Sequence, residues 1–358
     1  MDVPTPGLRS RLLAELPGIV LVVAAAGAIA ASVVGDLVSG PPAGPGPQQR
    51  AAEIVRTATR ESPRAVYVEA ATLAMMIAGV GLWLYAGVKL LHAAFMRRFP
   101  DLLALNWRAD LFPAGDFFGD RAPQGALSAP WHLWGVAQAA AAFVLLALFM
   151  PGLMTGLVVP EGPGMAAALA LQAGTRLLWL VWAAAFLYRR YGVGLGDLLG
   201  RGAPRNRVGD DFATGVEGYL RAFPLVMFAA LVISQLRESW GLPDQKHALI
   251  SSLAESDLFV RALAAVLAVV VAAVVEELLF RRLLYSALRR RMGFARAAVV
   301  SSALFAAVHM NVWEMVPLFI LGMMLALVYE RRRSLYAPVV LHAVNNGFSI
   351  AVVLLLLD

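Results

Sequence analysis

The stretch that decides the fold is LAAVLAVVVAAVVEELLFRRLLYSALRRR, residues 263–291. It begins with a purely apolar run, and nothing in it interrupts a helix before Gly293. A helix needs about 20 mostly apolar residues to cross the hydrocarbon core of a membrane. The stretch therefore predicts a membrane-embedded helix that carries Glu276 and Glu277 at or near hydrocarbon depth. Carboxylates at that depth are costly unless they find partners.

The composition of the whole chain agrees with a membrane protein. Of 358 residues, 60% are apolar and only 15% are charged. In soluble domains roughly 45–50% of the residues are apolar and about 25% are charged. This excludes a disordered chain and an ordinary soluble enzyme. The chain has no cysteine, which excludes disulfides, thiolate metal sites and a cysteine nucleophile. We attribute the net charge of +6 to membrane topology rather than to binding of nucleic acid.

Apolar stretches of membrane-spanning character recur along the chain. They predict an all-α, polytopic bundle of about eight or nine transmembrane helices. The first stretch follows Arg9 and Arg11 and could be read as a signal peptide, but its length and the spans after it favour a retained helix. The predicted spans lie near 16–38, 66–91, 131–150, 166–188, 213–235, 258–275, 296–310, 315–329 and 337–357.

The pattern of spans and loops predicts two regions. Residues 1–240 would hold N-terminal helices of unassigned role, with a linker at 39–64 and a loop at 96–130, and residues 245–358 would form a C-terminal helical core. Arginines concentrate in alternate loops, which predicts a cytoplasmic N-terminus; segment 39–64 is the exception. We expect an integral protein of a bacterial cytoplasmic (inner) membrane, with an organellar or endoplasmic-reticulum membrane as the alternative.

The acidic pair at the end of the apolar run suggests two different roles. Glu277 and Arg281 are four residues apart, so they share a helix face and can pair. Glu276 points about 100° away around the helix and can face a cavity. The alternative is an ion-paired helix end at the membrane interface.

Two later helices carry further polar groups. His309 lies one helical turn after Phe305, on the same face. His342 and Asn346 also share a face. Taken singly, these residues could be an interfacial histidine and interhelical hydrogen-bonding groups. Together with Glu276, they provide a carboxylate, two imidazoles and an amide, which are the groups needed for hydrolysis of an amide bond by water.

The same residues resemble motifs of the CPBP family (CAAX proteases and bacteriocin-processing proteins), specifically its type II CAAX prenyl endopeptidases. The motif EExxxR is present as EELLFR (276–281), FxxxH as FAAVH (305–309) and HxxxN as HAVNN (342–346). The resemblance covers roughly the last 110 residues. Each motif alone is weak, but all three in order are a strong signal. One departure is Arg282, where relatives commonly have glycine.

The resemblance implies a role for each motif residue. Glu276 is expected to be the general base that activates water, assisted by His309, while His342 and Asn346 stabilise the oxyanion. Glu277 and Arg281 are expected to support the site, together with Phe305. The family is often described as metalloproteases, so Glu276, His309 and His342 could instead hold zinc with an open position for water. Because the chain has neither a His-x-x-x-His nor a His-Glu-x-x-His motif, we favour water activation without a metal cofactor.

The leading functional interpretation is an intramembrane endopeptidase. Its expected partners are the lipid bilayer and a peptide or protein substrate, either lipid-modified or with a C-terminal membrane segment. A non-catalytic membrane scaffold or bacteriocin-immunity protein is one alternative, although a pure binder gains nothing from a base beside an oxyanion site. An ion-coupled transporter is the other, but its polar residues would not be confined to one third of the chain.

Overall fold

The computed structural model describes residues 65–98, 130–157, 164–199, 208–240 and 256–357, together with Val20 and Ala24. These ranges are helical and contain no β-strand, so the all-α prediction is confirmed. The linker at 39–64 lies outside the described residues. So do the predicted span 16–38, apart from Val20 and Ala24, and the loop 96–130, apart from its two ends.

Nine helices are described, of which six are long and apolar enough to cross a membrane: α1, α3, α5, α6, α8 and α9. They correspond to six of the predicted spans. The predicted spans near 131–150 and 296–310 contribute shorter apolar helices. The chain is thus an integral membrane protein. The helices are α1 (Ala65–Arg98), α2 (Leu133–Leu157), α3 (Met165–Tyr191), α4 (Leu195–Leu198), α5 (Val208–Ser239), α6 (Leu258–Arg289), α7 (Phe294–Ala307), α8 (Met315–Arg332) and α9 (Tyr336–Leu357).

The chain divides into two compact units, and one of them contains α2 and α3. Trp179 of α3 is fully buried, and its indole nitrogen donates a hydrogen bond to the carbonyl of Ala139 at 2.9 Å. Its ring also meets Phe143 edge-on. Near the other end of α3, Tyr191 packs against Trp131. These contacts make the two helices an antiparallel pair.

The second unit contains α1 and α4–α9, with α5 packed against α1, α8 and α9. Close packing between α5 and α9 depends on small residues. A Cβ atom at Gly215 would lie 2.6 Å from the carbonyl oxygen of Ala337, and one at Gly218 would lie 2.8 Å from both Leu341 and Val328. Helices α1 and α5 thus share a unit with the C-terminal helices, while the functional division near residue 240 stays a prediction.

Helix α1 covers a weak point of α5. Pro224 lies inside α5, and its ring nitrogen cannot donate to the carbonyl of Leu220. Gly79 of α1 lets the two backbones approach at this point, because a Cβ atom there would meet the Pro224 ring at 2.6 Å. The Trp83 indole donates to the carbonyl of Arg221 at 2.8 Å. Helix α1 therefore supplies packing and a hydrogen bond where α5 is interrupted.

Buried ion pairs join the arginine-rich ends of the helices. Arg289 of α6 donates to Glu330 of α8, the shortest bond being 2.8 Å, and the Tyr285 hydroxyl donates to the same carboxylate at 2.7 Å. Arg332 of α8 reaches Asp211 of α5 at 2.5 Å. Because charges in a lipid-embedded bundle must be partnered, these contacts fix the relative positions of α5, α6 and α8.

Candidate active site

The acidic pair lies on a short α-helical turn between two π-helical segments of α6. The turn is Ala273–Glu277, and the wider segments are Leu267–Ala272 before it and Leu278–Tyr285 after it. π-Helical turns are rare, and they often occur at functional sites. They are the most irregular part of the described helices and coincide with the first sequence motif.

Glu277 is completely buried between two cationic or hydrogen-bonding groups. Its side chain is 0% exposed, and its Oε2 atom lies 3.2 Å from Nε of Arg281. Its Oε1 atom accepts a hydrogen bond from Nδ1 of His342 at 2.8 Å. The pair with Arg281 is the one that the four-residue spacing predicts. The contact with His342 links α6 to α9 over 65 residues of sequence.

Arg281 is also 0% exposed. Its guanidinium carbon lies 4.5 Å from the centre of the Phe305 ring, a distance that gives a favourable cation–π contact. One terminal nitrogen donates to the carbonyl of Gly322 at 3.3 Å. Gly322 also brings α8 close to α7, since a Cβ atom there would lie 2.9 Å from Cβ of Ser302. Arg281 therefore connects the acidic pair to α7 and α8.

Glu276 differs from its neighbour because it is partly accessible. Its side chain is 24% exposed, and Oε2 lies 3.9 Å from Nε2 of His309 and 3.7 Å from Nε2 of His342. Among the described residues this oxygen has no direct hydrogen-bond partner. Separations of this size are too long for a direct hydrogen bond and suit a bridging water. The carboxylate of α6, the imidazole of α9 and the imidazole of His309, in the turn after α7, thus surround one point.

Hydrogen bonds orient both histidine rings. Nδ1 of His309 lies 2.7 Å from the carbonyl oxygen of Phe305, and a carbonyl oxygen can only accept, so Nδ1 carries the hydrogen. Nδ1 of His342 likewise donates to Glu277. The Phe305 ring meets both imidazoles edge-on. In both residues it is therefore Nε2 that faces Glu276.

Asn346 lies apart from this cluster. Its side-chain nitrogen donates to the carbonyl of Ala268 at 2.8 Å, and its oxygen accepts from Asn345 at 3.3 Å. Ala268 belongs to the first π-helical segment. An amide has two N–H donors, so one remains for another acceptor. The structure thus brings Glu276, His309 and His342 together and holds Asn346 beside the preceding turn of α6.

Two comparisons with known proteins cover this region. Residues 258–348 match the family model described as "Type II CAAX prenyl endopeptidase Rce1-like". Both comparisons support the identification of this segment with the CPBP family. A protein of Bacillus subtilis (strain 168) described as "Putative membrane peptidase YdiL" is 28% identical over 79 residues. That similarity spans 22% of this chain and about a third, 32%, of the relative. No solved structure matches the chain.

Arg282 stands where the resemblance leads us to expect glycine, and the structure explains how this larger residue is held. Arg282 is buried and donates to the carbonyl of Asp197 at 2.6 Å. Another of its nitrogens lies 3.3 Å from the Tyr329 hydroxyl, which is also within reach of Ser286. The side chain therefore joins α6 to α4 and α8.

Sequence reasoning did not find the acceptors that orient the site: the carbonyl groups of Ala268, Phe305 and Gly322. A backbone carbonyl has no sequence signature, so only the glycine at 322 could have suggested a close helix approach.

The sequence left open whether the site binds a metal ion. In the part of the chain that the structure describes, no group of three His, Asp or Glu side chains meets the geometry for a metal ion.

Proposed function

We propose that this protein is an intramembrane endopeptidase that hydrolyses a peptide bond with a water molecule activated by Glu276 and His309. The observation that supports this most directly is the position of the Glu276 carboxylate, 3.9 and 3.7 Å from two imidazole nitrogens. The carboxylate is partly accessible, whereas adjacent Glu277 is sealed. A carboxylate that served only in a structural ion pair would not need to be reached from outside, whereas the Glu276 side chain is 24% exposed.

In the proposed reaction, Glu276 accepts a proton from water while the water oxygen attacks the carbonyl carbon of the scissile bond. His309 orients the water through Nε2, because its Nδ1 is bonded to Phe305. The tetrahedral intermediate carries a negative oxygen. Glu276 then gives its proton to the leaving nitrogen, and the C–N bond breaks to yield an amine and a carboxylic acid, whose remaining proton is lost to solvent.

The oxyanion donors in this proposal are His342 and Asn346. His342 serves in its imidazolium form, with Nδ1–H on Glu277 and Nε2–H directed to the oxyanion. Two carboxylates are then balanced by Arg281 and His342, so the buried cluster is neutral. The second N–H of Asn346 supplies the other hydrogen bond. Removal of one such donor typically lowers the rate by about 10²–10³.

A zinc-bound water is the second candidate for the nucleophile, and one feature favours it. Histidines that bind metals usually donate their other N–H to a carboxylate or a backbone carbonyl, as His342 and His309 do. The site would then consist of Glu276 and the two Nε2 atoms, and the metal would lower the pKa of the bound water. Measured proteolysis with and without a chelator separates the two mechanisms.

We further propose a substrate with a membrane-associated segment, either lipid-modified near its C-terminus or bearing a C-terminal membrane helix. Exposed apolar side chains follow His309 around the rim of the site, including Met310 and Val312. A substrate already in the bilayer would reach such a rim without crossing water. We place the protein in a bacterial cytoplasmic membrane with its N-terminus in the cytoplasm, in agreement with the arginine-rich loops.

The test is proteolysis by the full-length protein in lipid nanodiscs. The substrates are quenched fluorogenic peptides, with and without a lipidated cysteine near the C-terminus. Glu276→Gln and His309→Ala should each lower turnover by at least about 10²-fold, the usual contribution of a general acid–base group. Glu238→Gln and His132→Ala serve as matched controls, since both residues are exposed. Turnover near that of wild type in either site variant would refute the assignment.

A further inference from the structure

Ser301 of α7 carries a buried hydroxyl that contacts the second π-helical segment of α6. The residue is completely buried, and its Oγ atom donates a hydrogen bond to the carbonyl oxygen of Phe280 at 3.2 Å. Phe280 lies within Leu278–Tyr285, the π-helical segment that follows the acidic pair. The contact therefore joins α7 to the irregular part of the helix that carries Glu276 and Glu277.

A π-helical segment in a membrane needs donors for its backbone carbonyls. Its hydrogen bonds span five residues rather than four, so a carbonyl at a junction with an α-helical turn can lose its regular partner. In lipid such a group must be satisfied from within the protein, and serine hydroxyls can do this. Ser286 donates to the carbonyl of Arg281 at 3.2 Å from within α6. Ser301 donates to the adjacent carbonyl from another helix, so it fixes the segment to α7.

Ser301 lies on the face of α7 that leads to His309. Ser301, Phe305 and His309 are spaced by four residues, so they follow one another along one side of the helix. The Phe305 ring meets the Phe280 ring edge-on, with 5.3 Å between ring centres, and it meets the His309 imidazole edge-on at 4.9 Å. This face of α7 thus contacts Phe280 through both its carbonyl and its ring, and it continues to the histidine beside Glu276.

The neighbouring serine has a different environment. Ser302 is also completely buried, but its Oγ atom has no hydrogen-bond partner among the described residues. It is rotated about 100° from Ser301 around the helix and packs against Gly322 of α8. The two serines are equally buried, and of the two it is Ser301 that bonds to α6.

We propose that Ser301 is a positioning residue for hydrolysis, an inference that rests on the proposed function of Glu276 and His309. Its bond to Phe280 fixes the π-helical segment against α7, so the carboxylate and the imidazole keep the 3.9 Å separation that suits a shared water. Without the hydroxyl, the Phe280 carbonyl loses this donor, and the segment can return towards regular α-helical pairing. That change rotates Glu276 relative to His309 and removes no group that touches the substrate.

The test is proteolysis of the fluorogenic peptides by full-length Ser301→Ala and Ser302→Ala variants in nanodiscs, well below the unfolding midpoint of each. Ser301→Ala should lower kcat at least about ten-fold and leave KM within about two-fold, because a small misplacement of a catalytic group can cost about 100-fold in rate. Ser302→Ala should keep both constants within about two-fold, since removal of an unpaired buried hydroxyl is nearly neutral. Wild-type kcat in Ser301→Ala, or an equal fall in both variants, would overturn the proposal.

Amide hydrogen exchange of residues 278–285 gives a readout that does not depend on proteolysis. Exchange should be faster in Ser301→Ala than in Ser302→Ala or wild type, because loss of the donor loosens the segment. If Ser301→Ala does not fold, Ser301→Cys takes its place, since a thiol is only a weak donor. Equal exchange in all three proteins would refute the positioning role alone, whereas absence of turnover in wild type would contradict the proposed function and this role with it.

Discussion

Neutralising Glu277 should damage stability and catalysis in ways that can be separated. Glu277→Gln keeps the size of the side chain but removes the carboxylate closest to the buried Arg281 charge, which keeps the Gly322 carbonyl and the Phe305 ring as neighbours. At the observed separation of 3.2 Å, the pair is worth about 5 kcal/mol at an effective dielectric constant of 20. Loss of one partner from a buried pair typically costs about 3–5 kcal/mol.

A double-mutant cycle tests this coupling. Arg281→Met alone leaves buried Glu277 with His342 as its remaining partner and should also be destabilising. The double variant removes both charges and should be more stable than either single variant, since replacing a buried pair by groups of similar volume is often nearly neutral. The measurement is thermal unfolding in detergent, followed by tryptophan fluorescence. Glu238→Gln is the surface control, for which the expected change is within about 1 kcal/mol.

The double variant should regain stability relative to the single variants but should not regain proteolytic activity. In the double variant His342 still faces a side chain at position 277, but it has lost the carboxylate that orients its ring. Loss of such a supporting group typically lowers activity about 10–100-fold. Destabilisation of the double variant equal to the sum of the two single effects would refute the coupling. Wild-type turnover in the double variant would refute the role of Glu277 in positioning His342.

Two further substitutions probe the packing and the amide. Gly322→Ala should destabilise the protein by about 1–3 kcal/mol, because its Cβ atom would lie 2.9 Å from Ser302. Gly81→Ala, in open space, should be neutral or stabilising, and equal unfolding midpoints for the two would contradict the packing argument. Asn346→Ala should lower turnover about 10²–10³-fold, whereas Asn345→Ala should lower it less than about ten-fold, because Asn345 donates only to Asn346. A larger loss in Asn345→Ala would reverse the assignment.

The parts of the site that sequence reasoning reached are those set by spacing along one helix. The four-residue separations place Glu277 beside Arg281 and His309 beside Phe305, and the structure shows both contacts. The meeting of three helices was expected because buried polar groups in lipid need one another. The catalytic roles of these residues remain predictions.

Contacts between distant segments could not be read from spacing. The sequence placed Asn346 on the same face as His342, but its amide bonds to Ala268, 78 residues away. Nor did the sequence indicate the π-helical segments, since the extra residue in a turn leaves no mark in an unbroken apolar run. Similarly, the apolar pattern predicts α5 as a membrane span but gives no sign that the Arg221 carbonyl accepts a hydrogen bond from Trp83 of α1.

The π-helical segment after Glu277 determines the angle around the helix axis between Glu276 and Arg289, which lie on either side of it in α6. Each residue of an ordinary α-helix turns the chain by about 100°, and a π-helical turn accommodates one residue more. Deletion of a single residue from this segment would let the helix become regular. However, the deletion would also rotate the residues after it by about 100° relative to Glu276. With Glu276 still between the histidines, Arg289 would then point away from Glu330. The irregular turn thus allows a single helix to direct Glu276 towards the histidines and Arg289 towards Glu330 at the same time.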